Sequence, residues 1–329
     1  MLIVGCGAMN LDLIYKVEDI KDFKFDGVEL LPGREIVLDH ELANKLLKQL
    51  EKKGRFLGKS GGGSAANTIC ALTKLGHECY FVSSVGEDEA GDFLISQMRG
   101  VDCSFVKRCG NSSMCIIVID KRSNDRSMIV VPGTFEVDLG QKGLRDILCQ
   151  SNLFHFTSLV QKIGPSIQRN LLESLKEETI VSFDPGEVYA KIGYQMLKDL
   201  FSKTDLLFST DYETKRLFLK TSEKEILKKI LRRRKNTPNF IFFKEFPPPV
   251  FIKKKGSKGA EAFCLEKSIK VSAKKVEKVV DNTGAGDAFN AGVLHGILNE
   301  KPVKDALDYG VEIAAFSLTF PGRDWIDYL

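Results

Sequence analysis

The residues best suited to chemistry lie at 281–292, reading Asp-Asn-Thr-Gly-Ala-Gly-Asp-Ala-Phe-Asn-Ala-Gly. Gly284, Ala285 and Gly286 carry almost no side chain. They precede an apolar series (Phe289, Val293, Leu294, Ile297, Leu298) whose spacing predicts a helix over 288–298. The valine-rich run 276–280 before them reads as a buried strand. Backbone N–H groups at a helix start have no intrahelical partner, and the helix dipole adds positive potential, so small residues there expose an anion site. Asp287 falls in the first turn beside it. A glycine-rich turn with a helix-starting Asp would use the same letters. The more pointed reading is phosphoryl transfer, which needs donors for developing charge and a base within reach of an acceptor hydroxyl.

Other candidates are spread along the chain. Asn10 and Asp12 follow the strand-like run 2–5, and on an extended chain their side chains share a side. An amide beside a carboxylate gives and accepts, which suits vicinal hydroxyls; a solvated turn is the alternative. Residues 61–68, Gly-Gly-Gly-Ser-Ala-Ala-Asn-Thr, permit close backbone approach to a ligand and open a helix over 65–75, although a tight helix entry has the same composition. Asp184 ends the strand 180–183, where ligands of parallel sheets gather. Thr210 and Glu213 open a helix after the strand 206–208. Lys254, Gly256 and Gly259 belong to a positive glycine turn. Two look-alikes are set aside. Gly5-Cys-Gly7 lacks the third glycine and the helix of a dinucleotide fingerprint. Residues 54–60 nearly spell a P-loop but have three residues between the glycines and follow a charged helix.

The stretch 281–292 resembles the C-terminal signature of the PfkB (ribokinase-like) family of sugar and nucleoside kinases, DTTGAGDxFxAG, with Asn282 in place of Thr. That resemblance covers essentially the full chain. It implies that Asp287 is the catalytic base and that the amides of Gly284, Ala285 and Gly286 hold the γ-phosphate of ATP. Asn10 and Asp12 match the family's sugar-binding N-x-D, and Gly62, Gly63 and Asn67 match its substrate-contacting GGxxxN. Gly86, Asp88 and Gly91 also follow the family spacing. Glu213 stands in the N-x-x-E that serves Mg²⁺ and phosphate, with Thr210 replacing Asn. Lys254 replaces the Thr of a nucleotide-contacting T-x-G-x-x-G that keeps Gly256 and Gly259. Asp281 and Thr283 are implied for a monovalent cation such as K⁺, and 303–320 for the border of the adenine.

The resemblance therefore implies ATP-dependent phosphorylation of a hydroxymethyl group on a sugar, with ATP and Mg²⁺. A nucleoside kinase of adenosine or inosine type is the alternative, because the helix inserted over 41–52 is similar to the adenosine-kinase branch. A non-catalytic sugar-binding protein is a third reading, given the departures at Thr210 and Lys254.

These residues need a scaffold, and the chain can supply one. With 329 residues it can bury one large core or two modest ones, and 43% hydrophobic with 28% charged residues is ordinary globular composition. A net charge of +4 is too small for a nucleic-acid footprint. No apolar run is long enough to span a bilayer, no signal peptide is evident, and the eight cysteines include no CxxC pair. A cytoplasmic protein with free thiols and no membrane or nucleic-acid partner is expected. The four histidines share no ligand spacing.

From 79 onward, strand and helix alternate. The expectation is an α/β fold, a ribokinase-like αβα sandwich with a mainly parallel central sheet, as a single domain over 1–329. A small β-sheet lid would come from about 13–60 and 103–133, with strands in 16–38, 104–107, 114–120 and 127–131. In relatives such lids serve in some cases as dimer clasps, so a homodimer through the lid is a further expectation. Strand signals also occur at 240–246, broken by Pro247-Pro-Pro249 from those at 250–252. An amphipathic helix over 223–235 ends in a basic run that suits a helix C-terminus rather than a nucleic acid.

Overall fold

The computed structural model describes residues 1–329 apart from 26, 124, 220 and 231–237. Among them, a nine-stranded sheet forms the centre. Strands Glu78–Val85, Leu2–Cys6, Leu153–Thr157, Ile180–Asp184, Leu206–Thr210 and Val250–Lys254 lie side by side and parallel. The antiparallel strands Ala260–Phe263 and Ser268–Val271 finish one edge. Strands covered on both faces read as continuous apolar runs, and 153–157 and 180–184 are buried along their whole length.

Successive residues feed opposite layers. Ile3 packs into a core with helices Ser64–Lys74, Ala285–Leu298 and Val303–Ser317, while Val4 packs into one with helices Gly164–Glu173 and Tyr194–Phe201. The result is the three-layer αβα sandwich that the alternating pattern predicts.

A five-stranded sheet stands over the carboxyl ends of these strands, in the order Glu35–Val37, Asp125–Val131, Ser113–Asp120, Asn10–Val17, Arg55–Gly62. Its two faces separate by simple alternation. Tyr15, Ile116, Val118 and Ile129 pack under helix His40–Lys53, whose Asp39 cap accepts from the Leu42 amide at 2.8 Å. Ile14, Ile117, Ile119 and Met128 lie together on the other face.

Five local expectations are corrected. Val106–Arg108 pairs in parallel with 83–85 in the large sheet and takes no part in the small one. Within 16–38, only the end of Asn10–Val17 and Glu35–Val37 join the small sheet, and Lys24–Phe25 with Val28–Glu29 make a separate two-residue hairpin. The phenylalanine-rich run at 240–246 forms a helix, Ile241–Glu245, with Phe242 and Phe243 buried; a short apolar run fits a buried helix as well as a strand. Residues 276–280 form no strand. Val279 and Val280 are 54% and 51% exposed, because the sheet already ends at 268–271 and the chain crosses out to hydrogen-bond the Leu318 carbonyl. The helix expected over 223–235 is Glu223–Lys229, and the basic run 232–235 lies outside the described residues.

The signature helix Ala285–Leu298 is held against Val303–Ser317 through glycines. A Cβ at Gly292 would lie 2.7 Å from the Gly310 Cα and 2.9 Å from the Tyr309 carbonyl oxygen. The final glycine of the signature thus serves helix packing. Gly292→Ala is expected to lower stability by about 1–3 kcal/mol, read as an earlier urea midpoint at unchanged slope.

Candidate active site

The chain reaches the signature helix through a loop tied by one carboxylate. Asp281 Oδ1 accepts from the Thr283 amide (2.8 Å) and hydroxyl (2.7 Å), and Oδ2 accepts from the Gly322 amide at 3.0 Å. Gly284 then takes φ +76°, a left-handed conformation that glycine adopts freely. Among the described residues the N–H groups of Gly284 and Gly286 donate to no protein acceptor. A Cβ at Gly286 would meet a single neighbour within 4 Å, the Lys254 ammonium at 3.4 Å.

That ammonium is the centre of a buried charge cluster. Lys254 Nζ lies 2.5 Å from Asp184 Oδ2, which also accepts from Asn290 Nδ2 at 2.6 Å. Burial alone would push Lys254 down, but the carboxylates of Asp184 and Glu213 hold it above its ordinary value. Burial would likewise raise Asp184, and the ammonium beside it more than offsets this. Glu213 moves upward, chiefly by burial. Its Oε2 accepts from the Thr210 amide at 2.7 Å while Thr210 Oγ1 accepts from the Glu213 amide at 3.2 Å, a capping box that starts helix Asp211–Phe218.

Asp287 sits one turn into the signature helix and is 9% exposed. Burial pushes its carboxyl up to about 7, against the pull of the Asn67 hydrogen bond (2.9 Å) and Lys254. Asn67 also lines a narrow cleft between the two sheets, whose walls include Asp12, Ser60, Thr283 and Gly284. Asp12 too is raised to about 7 by burial, with Arg323 opposing and Asp287 adding to the rise. One site therefore joins a helix-start amide cradle, a carboxyl poised near neutrality and a cleft with a second carboxyl.

The pfkB family carbohydrate kinase profile matches residues 36–324. The chain belongs to the PfkB family of carbohydrate kinases. It is thus a phosphotransferase with an alcohol group as acceptor, on a ribokinase-like fold. It is 31% identical over 258 residues to an uncharacterized sugar kinase of Archaeoglobus fulgidus, covering 74% of this chain and 92% of the relative. Among solved structures it resembles an adenosine kinase of Schistosoma mansoni (TM-score 0.79, 16% identity, 98% and 96% of the two chains). It also resembles an Arabidopsis thaliana ribokinase complexed with ribose and ATP (TM-score 0.70, 20% identity, 99% and 97%).

Placed on this PfkB fold, the sequence candidates divide. Asp12, Asn67, Asp281, Thr283 and Gly284 line the cleft together, with Asp287 bonded to Asn67. Asn10 stands two residues before Asp12 on the same strand, its Oδ1 buried without a partner. Gly62 and Gly63 leave room for their neighbours: a Cβ on Gly62 would collide with the Asp12 carboxylate, and one on Gly63 (φ +109°) would collide with the Ala8 carbonyl oxygen. Lys254 leaves the glycine turn and points into the cradle, whereas Gly256 and Gly259 shape the turn between strands 250–254 and 260–263. Asp88 caps helix Glu89–Ser96 and binds the Ser112 amide at 3.0 Å, just before the small sheet begins its second crossing.

Two cleft residues, Arg126 and Arg323, escaped the sequence reading. Period-2 alternation could have put Arg126 on one face with Met128 and Val130, but nothing local tells which face looks inward. Arg323 lies beyond the last helix in a segment with no periodic signal.

The raised carboxyls make a stability statement. A folded-state pKa near 7 against an unfolded value near 4 means the native chain binds the extra proton between those limits, so these groups weaken the fold as pH rises through that window. Asp287→Asn removes one of them. Its stability relative to wild type should be near parity at pH 4 and move in the variant's favour by pH 8, as followed by urea denaturation.

Proposed function

We propose that the chain transfers the γ-phosphoryl group of ATP to a hydroxymethyl group of a sugar, with Asp287 as the base. The observation that carries this is the buried Asp287 carboxyl, poised near neutral pH one turn into a helix whose Gly284 and Gly286 amides have no protein acceptor, with the Ala285 amide on the Asn282 carbonyl at 3.4 Å and the Lys254 ammonium alongside. The acceptor O–H proton passes to Asp287, and the oxygen forms a bond to the γ-phosphorus. The bond from that phosphorus to the bridging oxygen of ADP breaks, and Asp287 later releases its proton to solvent. The amides of Gly284, Ala285 and Gly286 hold the non-bridging oxygens, and Lys254, fixed by Asp184, lends a positive charge on the nucleotide side. Asp12, supported by Asn10 and shaped by Gly62 and Gly63, orients the sugar hydroxyls. The turn with Gly256 and Gly259 borders the nucleotide.

Magnesium fits this site through one group. Glu213 Oε2 is held by its capping box, which leaves Oε1 for a hydrated ion. Bound there, the ion would neutralise phosphate charge. Asp281 and Thr283 do not fit a monovalent cation as well, since the Asp281 carboxylate already accepts three hydrogen bonds that fix the loop. The small sheet acts as a lid that keeps water from the transfer step. Its outer face is taken by helix His40–Lys53, so a lid-mediated homodimer would use the edge strand Arg55–Gly62, where Phe56 and Leu57 are exposed. No helix among the described residues is long and apolar enough to cross a membrane.

The sugar reading is favoured by the curated relative of highest identity above. Nucleoside transfer is kept as the second reading because helix His40–Lys53 is present on the lid. A panel of sugars, adenosine and inosine with radiolabelled ATP separates them: label on adenosine or inosine and on no sugar rejects the first reading. Asp287→Asn should abolish turnover while sparing acceptor binding, and retained turnover would remove Asp287 from the mechanism. In the wild type, kcat/KM should rise with pH and level off above about 7, as Asp287 and Asp12 lose their protons. Lys254→Met should lower kcat by roughly 100-fold or more with little change in the acceptor KM.

A further inference from the structure

The acceptor side of the cleft holds two guanidiniums with donors that no protein group accepts. Arg323 is 4% exposed, yet one terminal nitrogen reaches only Cys70 Sγ (3.0 Å) and the Gln97 carbonyl (3.3 Å), and its Nε is buried without an acceptor. Arg126 reaches in from lid strand Asp125–Val131. One of its terminal nitrogens donates to Asn282 Oδ1, and its Nε is also buried without an acceptor. Asp12 and Asp281 act on these two guanidiniums through space, but neither forms an ion pair with them. Each guanidinium carries five donors, and a buried donor atom without an acceptor is costly. An anionic group that enters the cleft would give these donors the acceptors that the protein does not supply.

The register shows where Arg126 stands on the cleft side of the small sheet. Arg126 stands opposite Ile119, and Ile117 stands opposite both Met128 and Ile14. Asp12 stands opposite Cys115, four positions from Ile119 along the same strand, about 13 Å. Arg126 thus shares the cleft-facing side of the lid with the residue that orients sugar hydroxyls, two strands over and about 16 Å distant, with Ile14, Ile117 and Ile119 between them. Lys254 stands beside Gly286 and is not among the residues of this wall.

We propose that the acceptor is an anionic sugar, bearing either a phosphate ester or a carboxylate, whose charged group is taken by Arg126 while Arg323 balances charge beside Asp12. This rests on the kinase reading above and narrows its substrate class. Titration calorimetry without ATP tests it with two matched pairs, fructose 6-phosphate against fructose and gluconate against glucose. At least one anionic member should bind about tenfold or more tightly than its neutral counterpart, and the pair that shows it identifies phosphate or carboxylate as the group. Arg126→Met should weaken that binding about 10–100-fold and leave the affinity for a non-hydrolysable ATP analogue unchanged, with Arg126→Lys recovering part of the loss. Equal binding within both pairs overturns the proposal, as does a loss of nucleotide affinity in place of acceptor affinity. Anionic preference without ADP release would keep the inference and sink the kinase reading. ADP release with neutral sugars or adenosine alone would do the reverse.

Discussion

The structure depends on keeping a small set of charges dry without letting them cancel in the wrong pairs. Lys254 is bound to Asp184, and Asp184 is bound again by Asn290, so the ammonium is fixed rather than free to swing toward Asp287. Asp287 receives a neutral donor, Asn67, as its close partner. Had the lysine paired with Asp287 directly, the carboxyl would be held well below neutrality and would make a poor base. Separating a structural ion pair from a neutral-donor carboxyl by one helix turn keeps the second group near 7.

Everything around this arrangement is a positioning device. The loop carboxylate of Asp281 fixes where the helix begins, and close contacts at Gly292 and Gly310 fix where it lies. Gly62 leaves room for Asp12, and Asp88 ties the large sheet to the chain that re-enters the lid. These are small residues and turn-forming carboxylates, chosen for what they allow neighbouring groups to do. Their presence in a signature does not make each of them a ligand contact.

The parts of this site carried by local chemistry were legible in the sequence. The helix start at Gly284–Asp287, the shared side of Asn10 and Asp12 and the helix entry at Gly61–Asn67 all follow from residue type and spacing over a few positions. The fold was legible for the same reason, since apolar runs alternate with helical periods. What sequence did not show depends on facts set far along the chain. The valines at 276–280 look buried, yet they are exposed because another strand already occupies the edge. The run at 240–246 is apolar enough for either element and is short. Arg126 and Arg323 are separated by almost two hundred positions and meet one cleft only because the lid folds over it. Thr210 shows the converse: its replacement for Asn looked like a functional loss, while locally it builds a capping box that holds Glu213 in place.

The lid sheet has one further consequence. Because its residues alternate between a face sealed by helix His40–Lys53 and a face open to the cleft, its two sets of positions answer to different demands. Ile116, Val118 and Ile129 pack under the helix, whereas Ile14, Ile117 and Ile119 line the cleft. Divergence within such a sheet can retune ligand choice at every second position while the intervening ones stay fixed. An inserted or deleted residue, by contrast, would exchange the two roles at once. New specificities on this scaffold should therefore arise by substitution along a strand, with length changes confined to its turns.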